Sequence, residues 1–252
     1  MVIWRRDAHC QARIGDLLAY PGPVIEDDAE ADLLRARSAR VYNYMEVEPG
    51  ARFEEPVLPP GDHPAGDVHV RSAYPLVSPH RDHALERRFL RGLVAAEPVR
   101  ALVAGLRPQS DVAVHIRMAS GPGFDHLPHE APDNWPAHRH AELADWRRKS
   151  HADRFAARLD QLVAQREIDT IFLAADLPDT YAAFGARYGD RLAWQPRDLY
   201  DRSARQLQHA LADLILLAAC PRLLASTWSS FSEVAELLAP ERTRVERSGI
   251  DF

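Results

Sequence analysis

Residues 111–123 read Asp-Val-Ala-Val-His-Ile-Arg-Met-Ala-Ser-Gly-Pro-Gly. The apolar run predicts a buried strand, and alternation along it places His115 and Arg117 on the same face. A glycine loop follows the strand. A guanidinium at a strand end beside permissive backbone suits a phosphate oxygen. The alternative is an arginine paired with a structural carboxylate and a histidine bonded to the backbone.

Downstream of this stretch, apolar strands and helical patterns alternate. Strands are predicted at 170–175, 192–194 and 223–226, and helices over 155–163, from Pro178, over 204–219 and from Phe231. Strands separated by helical patterns of about 10–15 residues predict a parallel, doubly wound sheet. Ligands of such sheets bind at the carboxyl ends of the strands, so polar residues there are candidate site residues.

The part of the chain before this sheet is irregular. Short strands are predicted at 2–4, 41–47 and 68–74, and helices from Asp82 and over 99–106. The prolines between the second and third of these strands exclude a helix or a central strand there. A boundary between two units is predicted next to Pro108.

Composition limits the class of protein. The chain has 252 residues, of which 46% are hydrophobic, and this excludes a disordered chain. Two cysteines exclude a disulfide scaffold, and a formal charge of −6 is not typical of a general nucleic-acid or anionic-membrane binder. No signal peptide is recognised, and no apolar run reaches the roughly 20 residues of a membrane span. We therefore expect a cytoplasmic protein without a membrane span or a nucleic-acid partner.

A serine cluster follows the strand predicted at 223–226. Four serines precede or begin the next helix: Ser226, Ser229, Ser230 and Ser232. The free N–H groups at a helix N-terminus form an anion site, and serine is a favoured cap. Plain capping by Ser229 or Ser230 is the alternative, but one cap needs only one hydroxyl.

Two aspartates complete the candidate set. Asp213 lies in the apolar stretch 210–219, where an ionised carboxylate needs a partner that donates hydrogen bonds. A guanine base offers two adjacent N–H donors, and a buried Asp–Arg pair is the alternative. Asp176 follows the strand at 170–175, where it could hold a ribose hydroxyl or cap the helix from Pro178.

In order and spacing, these segments resemble the fucosyltransferase-like superfamily, which contains the bacterial Nod-factor and core α-1,6-fucosyltransferases and the protein O-fucosyltransferases. The matching motifs are His115-x-Arg117, the segment 172–176, and Asp213 followed by the segment 227–232. The resemblance implies an α/β protein with a GT-B-like, two-lobed architecture. Residues 1–108 would form a reduced N-terminal lobe on the acceptor side, and residues 109–252 a doubly wound, Rossmann-like lobe that binds a nucleotide sugar.

The resemblance also implies an inverting, metal-independent glycosyltransferase. Its partners would be a GDP-sugar, usually GDP-L-fucose, and a hydroxyl-bearing acceptor, with no separate cofactor. Carried over by position, Arg117 would bind the β-phosphate and assist the departure of GDP, and Ser229 would support the same phosphate. His115 and Asp213 would contact guanine. The candidate nucleotide-binding residues are therefore His115, Arg117, Asp176, Asp213, Ser229, Ser230 and Ser232.

Two departures from the family pattern favour an alternative. The residue after the first arginine, often a second arginine in the family, is Met118 here. The glycine-rich strand–helix unit that usually opens family members has no counterpart before the segment 2–4. A GDP-sugar-binding protein of the same fold that has lost transfer is therefore the alternative function.

A long, histidine-rich segment spans 121–142. Six of the twelve histidines fall between positions 115 and 151, and a connection of this length is typical of a functional loop. One interpretation is acceptor recognition, with Trp135 stacking on a sugar. The others are a metal site, which would make the protein a metal-dependent hydrolase, and a solvated loop. The candidate acceptor residues are His126, His129, Trp135, His138, Arg139 and His140.

Sugar transfer to a hydroxyl is helped by a general base within hydrogen-bond reach. Asp125 lies ten residues after His115, similar to the place of an acidic base proposed in core α-1,6-fucosyltransferases. Glu130 is the second candidate. The predicted catalytic residues are therefore Arg117, Asp125 and Glu130, and no metal ligand is assigned.

Overall fold

The structure is a computed structural model that describes residues 1–7, 10–44, 55–72, 75–106, 110–118, 137–197 and 201–252. Its first half contains β1 (Val2–Ile3), α1 (Ile14–Leu17), β2 (Val24–Ile25), α2 (Asp28–Arg37), β3 (Arg40–Asn43), β4 (Val68–Arg71), α3 (His83–Gly92) and α4 (Glu97–Ala104). The second half contains β5 (Val112–Ile116), α5 (Ala137–Lys149), α6 (Ala152–Ala164), β6 (Ile171–Ala175), α7 (Pro178–Tyr188), β7 (Leu192–Ala193), α8 (Ala204–Ala219), β8 (Arg222–Ala225), α9 (Ser230–Leu238) and β9 (Arg244–Arg247).

The second half forms a five-stranded sheet in the order β7-β6-β5-β8-β9, with all strands parallel. The chain enters at the central strand β5 and builds outward through β6 and β7. It then returns over α8 to β8 and β9 on the other side. The direction of winding therefore reverses between β5 and β8, and such a switch point is where doubly wound sheets bind ligands. The predicted parallel, doubly wound α/β sheet is confirmed.

Alternation along β5 divides the core between the two faces of this sheet. Val112, Val114 and Ile116 pack against α6 and α7 on one face. Ala113 belongs to the cluster on the other face, with Leu217 of α8. All five residues of β5 are buried because helices cover both faces, which explains why the strand is almost wholly apolar.

The predicted helices differ from the observed ones mainly at their ends. α8 has the predicted bounds and is capped by Ser203, whose hydroxyl accepts from the N–H of Gln206. The helix α4 begins two residues before the predicted start at 99. Pro98 lies in its first turn, where proline is tolerated. In α3 the apolar stripe is exposed, with Leu85 at 51% and Phe89 at 56% of their full accessibility.

The sequence patterns do not predict α1, β2, α2, α5 or β9. The strand β9 reads Arg-Val-Glu-Arg and pairs with β8 at the edge of the sheet, where charged residues are common. Its Glu246 is buried with arginines around the carboxylate: Arg158 donates from Nε to Oε2 at 2.7 Å, and Arg244 Nε forms an ion pair with Oε1 at 2.9 Å. Ion pairing with arginines of α6 and of β9 itself, rather than apolar alternation, thus accounts for this strand.

Two small parallel sheets, β1-β2 and β3-β4, precede the large one. α1 and α4 pack against α8, and α3 packs against the end of α9 through Arg91, which donates to the carbonyl oxygens of Leu237 and Ala239. The boundary predicted beside Pro108 lies outside the described residues, so the division into lobes at 108 stays a prediction. In the part of the chain that the structure describes, no helix is long and apolar enough to cross a membrane.

Candidate functional site

The carboxyl ends of β5, β6 and β8 bring three of the predicted motifs together. Arg117 follows β5, Asp176 follows β6 and Ser226 follows β8. Because β5 pairs in register with both of its neighbours, these strands end at the same level of the sheet. The motifs therefore meet at the switch point, where the topology predicts a ligand.

The carboxylate of Asp176 orients Arg117. Arg117 donates from Nη1 to Asp176 Oδ2 at 2.8 Å, and the N–H of Met118 donates to the same oxygen at 3.0 Å. The two charged side chains keep 17% and 16% of their accessibility, so the pair lies at the rim of the core. The residue that caps α7 is Leu177, without a side-chain bond, so capping is not the role of Asp176. Its contact with a ribose stays a prediction.

Ser226 fixes the backbone that carries Arg117. Its hydroxyl donates to the carbonyl oxygen of His115 at 2.9 Å and accepts from the N–H of Arg117 at 2.9 Å. Its own N–H donates to the carbonyl oxygen of His115 at 3.1 Å. These bonds join the ends of β5 and β8, and they hold the Arg117 backbone in a fixed direction before any ligand binds.

The N-terminus of α9 lies at the same edge of the sheet, directly after β8. Ser229 is the residue before the first turn, but its side chain makes no capping hydrogen bond, so plain capping by Ser229 is not observed. The preceding Trp228 has a φ of 57°, in the left-handed region that bulky side chains rarely adopt. Ser230 is exposed at the first position of the helix. The N–H groups of this first turn can bind an anion.

His115 is buried beside this helix as a neutral imidazole. Its Nδ1 lies 2.7 Å from Ser232 Oγ, and its ring stacks on Phe231 with centroids 4.8 Å apart. Burial is the main cause that lowers the pKa of His115 to about 3; the Asp176 carboxylate opposes this shift, and the charges of Arg117 and Arg147 add to it. The Ser232 hydroxyl is thus engaged by His115. The guanine contact of His115 and the phosphate contact of Ser232 stay predictions.

The low pKa of His115 predicts a pH-dependent stability. Between about pH 6.5 and 3 the unfolded chain takes up a proton at this histidine and the folded chain does not, so stability is lost as the pH falls. We expect the free energy of unfolding to fall by up to about 1.4 kcal/mol per pH unit more than in His115→Gln. Urea titrations from pH 7 to 4 measure the two slopes. His83→Gln, at an exposed position, should keep the slope of the unaltered protein, and equal slopes for His115→Gln would contradict the assignment.

Asp213 is placed in a buried ion pair. It is 1% exposed in the middle of α8, and its Oδ2 lies 2.7 Å from Nη2 of Arg197, which follows β7. Arg197 also donates to the hydroxyl of Tyr181 at 3.3 Å. The structure thus shows the Asp–Arg pair that is the alternative to guanine. Oδ1 of Asp213 has no hydrogen-bond partner within the described ranges, and a guanine contact at this atom stays a prediction.

The Tyr181 hydroxyl that accepts from Arg197 is itself bonded to the end of β6. β7 has only two residues, which pair with Ile171 and Phe172, so within the described residues no strand pairs with Ala175 on that side of β6. The Tyr181 hydroxyl accepts from the N–H of Ala175 at 2.8 Å and donates to its carbonyl oxygen at 2.9 Å. Arg197 is a residue that the motifs miss. The available signal is its position just beyond the strand predicted at 192–194.

The histidine-rich segment is only partly described. Asp125, His126, His129, Glu130 and Trp135 lie outside the described residues, and their predicted roles stay predictions. His138, Arg139 and His140 belong to the first turn of α5, so the prediction of a loop up to residue 142 is wrong. The helix forms because Leu143 anchors it in the core. Within the described residues, no group of three or more His, Cys, Asp or Glu side chains could hold a metal ion.

Fold and site together define a doubly wound α/β protein with an oriented arginine beside a helix N-terminus at its switch point. No protein-family profile matches the chain, and no curated protein matches it. Among solved structures, the chain is similar to the fucosyltransferase NodZ from Bradyrhizobium, with 16% identity and a TM-score of 0.47, over 71% of this chain and 54% of NodZ. It is also similar to POFUT1 in complex with GDP, with 12% identity and a TM-score of 0.49, over 94% of this chain and 84% of that one.

A further match is POFUT1 in complex with GDP-fucose, with 13% identity and a TM-score of 0.44, over 73% of this chain and 54% of that one. The chain spans about half the length of the NodZ structure that it matches.

Proposed function

We propose that the protein is an inverting, metal-independent glycosyltransferase that transfers a sugar, L-fucose, from a GDP-sugar to a hydroxyl acceptor. The observation that carries the proposal is the position of Arg117. Its guanidinium is held by Asp176 at the end of the central strand, and α9 begins at the end of the neighbouring strand. A guanidinium fork and the free N–H groups of a helix N-terminus are both donors for phosphate oxygens.

This arrangement suits the departure of a nucleoside diphosphate. In the transfer, the acceptor oxygen forms a bond to the anomeric carbon while the bond from that carbon to the β-phosphate oxygen breaks. Negative charge then develops on the diphosphate, and fixed donors aimed at it lower the barrier. Arg117 and the first turn of α9 would supply these donors in place of a divalent cation. The choice of GDP among nucleotides follows the sequence resemblance.

The acceptor proton needs a base within reach. Asp125 and Glu130 remain the proposed bases, and the carboxylate would take the proton of the acceptor hydroxyl as the new bond forms. The proposed acceptor residues are Trp135 with His126 and His129. His138, Arg139 and His140 join them from the start of α5.

A GDP-sugar-binding protein without transfer is the second candidate, and Met118 favours it. The family often has a second arginine at this position, whereas the sulfur of Met118 accepts from the N–H of Ala152 at 3.2 Å. Incubation with GDP-fucose and a panel of acceptors, scored for released GDP, separates the two candidates. The hydrolase alternative predicts stoichiometric zinc, which elemental analysis of the purified protein would detect.

Calorimetric titration of the unaltered protein with GDP, UDP and ADP tests the nucleotide. We expect GDP to bind at least about 10-fold more tightly than the other two, because a site built to bond the polar groups of one base rejects others by leaving buried groups unpaired. All three ligands carry the same diphosphate, so the comparison isolates the base. Equal affinities would exclude a guanine site.

A further inference from the structure

The junction between α5 and α6 is fixed over the ends of the sheet strands. Ser150, fully buried between these helices, bonds through its hydroxyl to the hydroxyl of Ser248, which follows β9, at 2.8 Å. The N–H of Ala152 donates to the sulfur of Met118, which follows β5, at 3.2 Å. The last turn of α5 is therefore held at the edge that carries the candidate site.

Arg147 lies in this last turn, three residues before Ser150. Its Nη1 donates to the carbonyl oxygen of Trp228 at 3.4 Å, in the turn between β8 and α9. This bond orients the guanidinium toward the turn between β8 and α9. The acceptor belongs to the residue whose left-handed backbone leads into the first turn of α9. Arg147 is thus attached to the part of the site that would bind an anion.

The charges of Arg117 and Arg147 both act on the buried His115 ring. Beside the main effect of burial, the negative charge of the Asp176 carboxylate raises the pKa of His115, and the positive charges of Arg117 and Arg147 lower it. Two guanidinium groups therefore lie close enough to one buried ring to act on it electrostatically. Arg117 follows β5 and Arg147 belongs to α5, so the two guanidinium groups come to the switch point from different elements.

We infer that Arg147 is a second phosphate-binding residue, which acts with Arg117 and the first turn of α9 on the diphosphate of the ligand. The inference rests on the proposed function. Each guanidinium presents a planar fork that can bind two phosphate oxygens, and two forks with one helix N-terminus offer donors for both phosphate groups. The sequence motifs give no sign of this role, because Arg147 lies 30 residues after Arg117, beyond the histidine-rich segment.

Titration of Arg147→Gln with GDP and with guanosine tests the inference. We expect the affinity for GDP to fall about 10- to 100-fold, the effect of losing a charge-assisted hydrogen bond, and the affinity for guanosine to stay within about twofold. Arg147→Lys, which keeps the charge without the fork, should fall between the two proteins. Inorganic pyrophosphate should compete with GDP on the unaltered protein and compete more weakly on Arg147→Gln.

The matched control is Arg148→Gln on the same helix. Arg148 is 71% exposed and pairs with Asp145, so this variant should bind GDP like the unaltered protein. The inference is overturned if Arg147→Gln binds GDP as tightly as the unaltered protein, or if it loses affinity for GDP and for guanosine equally. Either result leaves the proposed function standing. Absence of GDP binding by the unaltered protein overturns both. Should Arg147→Gln fail to fold, as circular dichroism would show, the Arg147→Lys titration decides by the same criteria.

Discussion

Arg117→Ala is expected to lower the affinity for GDP about 100-fold or more. The variant loses the charged donor at the end of β5, and it also removes the Arg117 charge from beside the Asp176 carboxylate, which is only 16% exposed. Truncating one member of a hydrogen-bonded charge pair costs about 2–5 kcal/mol in binding, in part because the other charge stays unpaired. Without the positive charge of Arg117 beside it, the carboxylate would in addition repel the phosphates. Calorimetry with GDP measures the loss.

A double-mutant cycle separates the two causes. In Arg117→Ala/Asp176→Ala the repelling carboxylate is gone, so part of the affinity lost in Arg117→Ala should return. Arg187→Ala is the control, because Arg187 forms an ion pair with Asp160 between α6 and α7, on the opposite face of the sheet from α8 and α9. Full GDP affinity in Arg117→Ala would refute the proposed phosphate site.

Asp213→Ala is expected to lower the free energy of unfolding by about 3–5 kcal/mol, the cost of leaving a buried charge without its partner. The charge that loses its ion-pair carboxylate is that of Arg197, whose side chain is 10% exposed. Burial raises the pKa of Asp213 to about 6 although the charge of Arg197 lowers it, so the desolvation of the pair is only partly offset by its attraction. Urea unfolding at pH 7 without ligand measures the change.

The same reasoning predicts that an apolar pair restores most of the stability. Asp213→Leu/Arg197→Met removes both charges, and replacing a buried pair by apolar side chains of similar volume is often neutral. Asp32→Ala serves as the control, because Asp32 also lies within a helix but is 62% exposed in its pair with Arg5, and a surface pair contributes about 1 kcal/mol or less. A double variant as unstable as Asp213→Ala would show that shape, rather than charge, makes the pair important.

The sheet was predictable from sequence because its signal is local. Strands buried on both faces read as short apolar runs, and the helices between them show the period of an amphipathic stripe. The bounds of α8 follow from its cap at Ser203 and the end of its apolar run, and α6 follows from the spacing of Phe155 and Leu159. The helix α5 was missed because its polar sequence carries no apolar period, and Leu143 is its one buried residue.

The partners of the site residues could not be predicted in the same way. Arg117 and Asp176 are 59 residues apart, and each was a candidate for a ligand contact by itself. Their ion pair depends on the register between β5 and β6, which the apolar pattern of two buried strands leaves open. Arg197 and Arg147 carry no motif, and their roles depend on which elements pack beside them.

The sequence by itself determined the alternation of strands and helices, the parallel sheet, and the polar residues that follow its strands, because each of these is written within one segment. Only the tertiary structure decided which charged residues of the site meet. It pairs Arg117 with Asp176 and Asp213 with Arg197, and it brings Arg147 to the turn before α9. The physical reason is that a buried charge takes its partner from whatever element packs against it, and packing is set by the whole sheet rather than by the residues on either side in the chain.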